Sequence, residues 1–266
     1  MSQMSYIPVS KVEHKGFGYV PEKGMSFVEP WPFIPVGSSE ISSLISVFPL
    51  VFQRTKKGYQ LGVLTGLGDN YLLHPVTKQF LLPYVPAMLR HYPFAALKTD
   101  RSDTVLSVVS SEAGFALDGG EPVLDKAGAL TKHGQALMQS LQQLNVCFER
   151  DRLITDKLGQ HDLFRPLGVK DFGLPDDESS DMFKACLKGY CILSEQNFNA
   201  LGAEALLDLR ASSVLPFFYG HLFSLRMMDR FLMLKEAMSQ LNEASASKKE
   251  GLDAFFKDGE DALRFE

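Results

Sequence analysis

Cysteine is scarce in this chain. The three present, Cys147, Cys186 and Cys191, form an odd set, and the spacing of Cys186 and Cys191 fits neither a CxxC redox pair nor a zinc-ligand hairpin. A disulfide framework is excluded as the source of stability, and buried thiols in a reducing compartment are expected. Positive charge is also short: 27 Lys and Arg against 32 Asp and Glu leave a net charge of −5. Charge-driven binding to nucleic acid or to acidic lipid headgroups is therefore not expected. Long apolar runs are missing. The longest, Val214–Leu225, contains Pro216 and His221, stops at Arg226 and falls well short of the roughly 20 residues a membrane helix needs. The N-terminal stretch has no apolar signal region, so a cytoplasmic protein is expected. Strong catalytic signatures are absent too: there is no GxSxG, HExxH, GxGxxG or GxxxxGK[ST]. None of the six histidines opens a His-x-Asp pair, which removes the usual local start of a facial-triad iron site. No cofactor and no metal is expected.

What is there is an ordinary globular composition, 45% apolar and 22% charged, with 20 Phe and a single Trp, Trp31. Aromatic side chains dominate buried area, so a Phe-rich core is expected. Residues 1–38 carry Pro21, Pro30, Pro32 and Pro35 through an aromatic stretch. Each proline removes a backbone donor and extends its predecessor, which predicts an arm laid over a core. Ser38 or Ser39 can cap a short helix with Leu44 and Ile45 inside. Phe48–Gln53 and Tyr59–Thr65, joined by the polar Arg54–Gly58, read as a hairpin, and Tyr71–His74 and Thr104–Ser110 as further strands.

From Asp125 the periodicity becomes helical. Thr131 can cap a helix with Leu137, Leu141, Leu144 and Phe148 on one face. A second helix over Asp151–Lys157, an exposed acidic loop over Val169–Asp181, a strand over Leu187–Leu193 and a helix from Ser194 follow. The longest helical pattern is Ser213–Met238, where Pro216 is tolerated in the first turn. There Val214, Phe218, His221, Leu225, Met228 and Leu232 share a stripe. Beyond Gln240 a polar linker leads to a tail containing Leu252–Phe256. The predicted fold class is α+β: a β-rich half over about 25–120 packed against a mainly helical half over about 125–240. No Gly/Ser-rich linker divides the halves, so they should share one continuous core.

The densest local signal is Phe80–Phe94, FLLPYVPAMLRHYPF. Pro86 and Pro93 restrict Met88–His91 to a single helical turn. Tyr84 and Tyr92 bring phenols near Arg90 and His91, and Arg90 can hold a carboxylate bidentately. Equally, Arg90 can satisfy carbonyls left unpaired where the prolines interrupt regular bonding. His221 is either a ligand or general base with a shifted pKa, or a core histidine bonded to a backbone carbonyl. Ser224 shares its face, but nucleophiles usually sit on strained turns rather than mid-helix. Gly62, Gly66 and Gly68 lie within and after a strand, lack a helix start and read as turn punctuation. The candidates for contacting a ligand or partner are Tyr84, Arg90, His91, Tyr92 and His221; no catalytic set emerges.

Several of these blocks resemble the SapC family, the soluble surface-layer-associated type and not the peptide-transport permease of the same name. Phe48-Pro49-Leu50-Val51-Phe52 is similar to its (Y/F)P-x-V-F strand. Tyr84-Val85-Pro86-Ala87 with Arg90-His91-Tyr92-Pro93-Phe94 is similar to its Y-x-P-x-x-x-R-x-Y-P-F run. Leu64–Leu67, Pro122–Asp125 with Gly128, Gly189-Tyr190 with Ser194-Glu195, and Tyr219, His221, Leu222, Ser224 and Leu225 resemble other blocks, so that most of residues 40–235 is covered. Two departures are His91, at a position often basic in the family, and Val123-Leu124 in place of a Leu-Phe pair. A single domain over 1–240 with a linker and acidic, aromatic tail over 241–266 is expected. The resemblance carries no agreed catalytic residues. It implies a cytoplasmic accessory protein linked to surface-layer or outer-membrane export, with a surface-layer, TonB-type receptor, halogenase-like or dioxygenase-like partner. The alternative is an enzyme or small-ligand-binding protein with its site around Tyr84, Arg90 and His91, or a ligand sensor whose aromatic arm Phe27–Phe33 closes a pocket.

Overall fold

The proline-rich arm supplies β1 (Tyr6–Pro8), β2 (Gly18–Tyr19) and β3 (Phe33–Pro35). These belong to a computed structural model that describes residues 5–10, 12, 14, 18–19, 25–67, 70–99, 103–109, 115–116, 120–177 and 180–242. A 3-10 turn at Ser38–Glu40 leads into α1 (Ile41–Leu44), followed by β4 (Leu50–Thr55) and β5 (Gly58–Leu64). After α2 (Ala87–Arg90) come β6 (Phe94–Lys98), β7 (Thr104–Val109), β8 (Phe115–Ala116) and β9 (Glu121–Pro122). The second half holds α3 (Lys132–Gln160), β10 (Phe164–Pro166), α4 (Asp181–Leu187), β11 (Tyr190–Leu193), α5 (Glu195–Asn199), α6 (Ala203–Ala211) and α7 (Leu215–Ser224). Residues 228–242 are helical.

The main sheet runs β10-β11-β4-β5-β3, entirely antiparallel. Its hairpin closes with Thr55 opposite Gly58, and Gly58 takes φ +109, a conformation that favours glycine. Gly62 has a different task from punctuation. A β-carbon there would run into the Phe33 ring and the Ile34 carbonyl, so the bare backbone lets β3 close onto β5. Strands β10 and β11 come from the helical half and complete the sheet of the β-rich half. This pairing makes the α+β architecture one connected body rather than a sheet beside a bundle. A smaller sheet, β1-β7-β6, shows the arm adding its first strand to an edge, and β8-β2-β9 forms a third.

Phenylalanine fills the main core as expected. Phe33, Phe52, Phe218 and Phe231 are completely buried, Phe48 meets Phe231 edge-on at 5.9 Å, and Phe198 stacks on Phe218 at 4.1 Å. A satellite cluster of Phe94, Ala96, Leu106, Val108, Val123 and Leu141 fills the space between the smaller sheet and α3. Thr131 Oγ1 accepts the Gly134 N–H at 3.1 Å and starts α3, as its sequence position predicts.

Helix α3 does not break before Asp151 but runs 29 residues and is the longest helix described. The charged stretch 149–152 stays helical because Asp151 turns inward while Arg152 pairs with Asp156 outside. The helical pattern over Ser213–Met238 is instead interrupted by a 3-10 turn at Leu225–Met227. Tyr71–His74 forms only an isolated bridge, Leu73 to Phe80. The acidic segment after Val169 opens with a 3-10 turn that buries Val169 and Phe172, because Asp171 caps Gly168 and pairs with Arg165. Serine does not cap the turn before α1; Glu40 does so by reaching back to Gly37. The three cysteines are free and half-buried rather than buried. Gly68 and the Leu252–Phe256 tail lie outside the described residues.

Candidate functional site

A turn entering a helix leaves backbone N–H groups without intrahelical partners. At Gly37–Glu40 two carboxylates satisfy them. Glu40 is only 4% exposed, and its Oε2 accepts the Gly37 N–H at 3.1 Å. Its Oε1 accepts the Ala87 N–H at 2.7 Å and the Tyr84 O–H at 3.0 Å, so one side chain ties the entry of α1 to the start of α2. Arg90 extends this node toward solvent: its Nη2 donates to the Tyr84 hydroxyl at 3.4 Å, and its guanidinium lies 5.6 Å from the Tyr84 ring centre. Burial, and then the Glu40 carboxylate, push the Tyr84 phenol pKa up, while Arg90 pulls it down. The neighbouring His91 is pushed below its ordinary range by burial and by Arg90, against the pull of Glu40.

Asp151 grips the same turn from α3. It is 3% exposed, and its Oδ2 accepts the Ser38 N–H at 2.6 Å, with the Cys147 thiol 3.7 Å from the same oxygen. Its Oδ1 is buried and has no hydrogen-bond partner among the described residues. Burial raises this carboxyl pKa despite the opposing bonds from Ser38 and Cys147.

Beside this node, a cavity of about 220 Å³ opens between β6 and α3. Phe94 and Leu97 come from the strand; Leu141, Leu144 and Phe148 come from the helix. Trp31, Tyr92 and Tyr6 complete the aromatic wall, and among the described residues none that lines it is charged. The wall is fixed from behind: Phe27 stacks on Tyr92 at 3.7 Å with nearly parallel rings, and Trp31 meets Tyr92 edge-on at 6.1 Å. The aromatic arm therefore does pack over the proline-rich run, with Thr65 Oγ1 donating to the Trp31 carbonyl. Among the described residues Asn145 is the one lining side chain with an amide, and its Nδ2 donates to the Ala96 carbonyl at 2.7 Å.

The five residues singled out in the sequence are thus dispersed. Tyr84 and Arg90 belong to the Glu40 node, with His91 half-buried next to them; Tyr92 faces the cavity. His221 is elsewhere, completely buried in α7 with its ring 5.0 Å from that of Phe52. Neither of its ring nitrogens has a hydrogen-bond partner among the described residues. Burial, reinforced by Arg165 and partly offset by the Leu50 backbone, pushes its pKa down to about 3. Ser224 bridges the elements instead of pairing with the imidazole: its Oγ donates to the His221 carbonyl at 2.6 Å and accepts the Leu50 N–H at 3.0 Å.

Three polar residues escaped the sequence reading. Glu40 stands three positions after Gly37, the capping-box spacing, and was legible on that ground. Asp151 and Asn145 sit in polar helical stretches and carry no such mark. Among the described residues no group of three His, Cys, Asp or Glu side chains converges to hold a metal ion, and no helix is long and apolar enough to cross a membrane.

The family comparison agrees with the resemblance read from the motifs. The SapC family model matches residues 9–231, a range that takes in the Glu40 node, the cavity wall from Trp31 to Phe148 and the His221 region. No curated protein and no solved structure matches the chain. With the match spanning most of its 266 residues, the chain belongs to the SapC family.

Proposed function

We propose that the protein works by binding, and that its ligand is a small, largely apolar molecule held in the cavity between β6 and α3. The observation that carries this reading is the cavity itself: about 220 Å³, walled by rings already locked against each other. An apolar protein cavity of about 150 Å³ is enough to hold benzene, so one substituted ring fits here. Binding sites of this kind are mostly apolar and largely pre-formed. Tyr92 is the member of the sequence-derived set that would touch the ligand; Tyr84, Arg90 and His91 flank it and hold the short helix from which it follows. Trp31, the only tryptophan, is a built-in reporter. Titrating the protein with ethylbenzene while exciting Trp31 at its red edge should give a saturable change in emission, which Ala95→Phe, by filling the cavity, should abolish. An unchanged signal in the native protein counts against the reading.

A second reading is the accessory role implied by the family, with a surface-layer, TonB-type receptor, halogenase-like or dioxygenase-like protein as partner. One observation favours it: on α7, Tyr219 and Phe223 are 44% and 60% exposed and their rings face each other at 6.5 Å. Exposed aromatics of this kind are enriched where proteins meet. Co-purification from the native host with Tyr219→Ser/Phe223→Asp as control tests it, because a partner retained equally by the double variant does not use this ridge.

A further inference from the structure

The cavity reading leaves open what kind of molecule enters, and the polar groups of the wall narrow the choice. Among the described residues no Asp, Glu, Lys or Arg lines the cavity. An anionic group placed there would shed its hydration without meeting a cation, and a cationic group would meet no carboxylate. The exposed Arg90, the natural clamp for a carboxylate, is instead engaged with the Tyr84 phenol, and Glu40 is occupied by its three N–H and O–H donors. Charge recognition therefore has no provider at this site among the described residues.

Directional groups are present, the Tyr6 and Tyr92 hydroxyls and the Asn145 amide, and of these the amide has its orientation fixed by a hydrogen bond to the backbone. A backbone carbonyl only accepts, so the bond to Ala96 O fixes the Asn145 amide with its Nδ2 toward β6. Its Oδ1 is left as an acceptor with no protein partner among the described residues, on a side chain that lines the cavity. The flat walls favour a ring, since Trp31, Tyr92, Phe94 and Phe148 offer faces and edges to it.

We propose that the cavity takes an uncharged aromatic molecule bearing one hydroxyl donor, a neutral phenol, with its ring among Trp31, Tyr92 and Phe148 and its O–H donated to Asn145 Oδ1. The inference rests on the cavity reading above and adds the ligand's charge and donor. A phenol near neutral pH keeps its proton, because its pKa is about 10.

Calorimetric titration of the full chain with 4-ethylphenol, 4-ethylanisole, ethylbenzene and 4-hydroxybenzoate separates the possibilities without relying on any variant. The expected order places 4-ethylphenol tightest, with 4-ethylanisole and ethylbenzene about tenfold weaker for want of one hydrogen bond. The carboxylate should show no detectable heat. Asn145→Leu should erase the preference of the phenol over the anisole. Equal affinity for phenol and anisole in the native protein overturns the donor assignment and leaves the cavity reading standing. Binding of 4-hydroxybenzoate as tight as that of 4-ethylphenol overturns the neutral assignment. Failure of all four probes to bind overturns the cavity reading and this inference with it.

Discussion

His221 makes the sharpest energetic prediction. Its imidazole is completely buried against Phe52, and its pKa falls from 6.5 to about 3. A base whose pKa is depressed in the folded state binds protons more readily when unfolded. Its penalty is therefore absent above the unfolded value and grows as pH falls toward the folded one. At about pH 5 the loss should be about 2 kcal/mol, and below pH 3 it should approach about 5 kcal/mol, from a difference of about 3.5 at about 1.4 kcal/mol each. His221→Phe removes the titration. Its effect at neutral pH is the balance of two opposed changes, relief of unpaired ring nitrogens and insertion of a slightly larger ring, so absolute stability is not the readout. The readout is the change with pH. Urea unfolding of both proteins across the range from about pH 7.5 to about pH 5 should show the native protein losing about 2 kcal/mol more than the variant, with unchanged m-values. Parallel stability curves would mean that His221 is hydrated or paired in solution, and the reasoning from burial would fail.

Three other outcomes follow from the node around residues 37–40. Glu40→Ala strands the Gly37 and Ala87 N–H groups together and should cost about 3–5 kcal/mol in urea unfolding, whereas Tyr84→Phe, which removes a single half-buried donor, should cost less than about 1.5 kcal/mol; equal costs would refute the central place of Glu40. Arg90→Ala should move stability by less than about 1 kcal/mol, since its contacts among the described residues are one long bond and one ring face at the surface, and a larger loss would reveal a buried carbonyl partner in solution. Gly37→Ala should cost about 1–3 kcal/mol, because its β-carbon would stand 2.7 Å from Cys147 Sγ. Gly37 has φ −90, which any residue adopts, so in a Cys147→Ala background the same change should be neutral or stabilising; no rescue would place the obstruction elsewhere.

How much of this was legible depends on whether a signal is local. Thr131 and Ser194 announced their helices because a cap lies within three residues of the N–H it serves. The β4–β5 hairpin was legible for the same reason, its turn and both strands lying in one window. The strand Tyr71–His74 failed because an apolar run names a buried segment without naming a pairing partner. The long α3 was divided because a run of charges hides one inward residue: Asp151 finds Ser38 across more than a hundred positions, and no periodicity reports that. The cavity was half legible. The aromatic arm and Tyr92 were both visible in the sequence, but their meeting with the Leu141–Phe148 face of α3 is a product of sheet order.

The geometry also explains why a single stretch of sequence looked like a site and then separated into two. Helix α2 is one turn long, too short to hold itself in water, since nucleating a helix costs more than a lone turn returns. Glu40 anchors its first N–H, and Pro86 fixes the backbone just before it. On a turn so short, side chains at Tyr84 and Arg90 reach back to the anchor, while Met88 and Tyr92, four positions apart, share the other face and wall the cavity. Of the groups that suggested chemistry, Tyr84 and Arg90 thus surround the anchor, whereas Tyr92 joins residues that suggested only packing around the open space. The buried carboxylate anchors the first N–H of the helix, and Tyr92, just beyond its end, lines the cavity with its ring stacked on Phe27, so the anchor and the cavity wall are joined by a single helical turn.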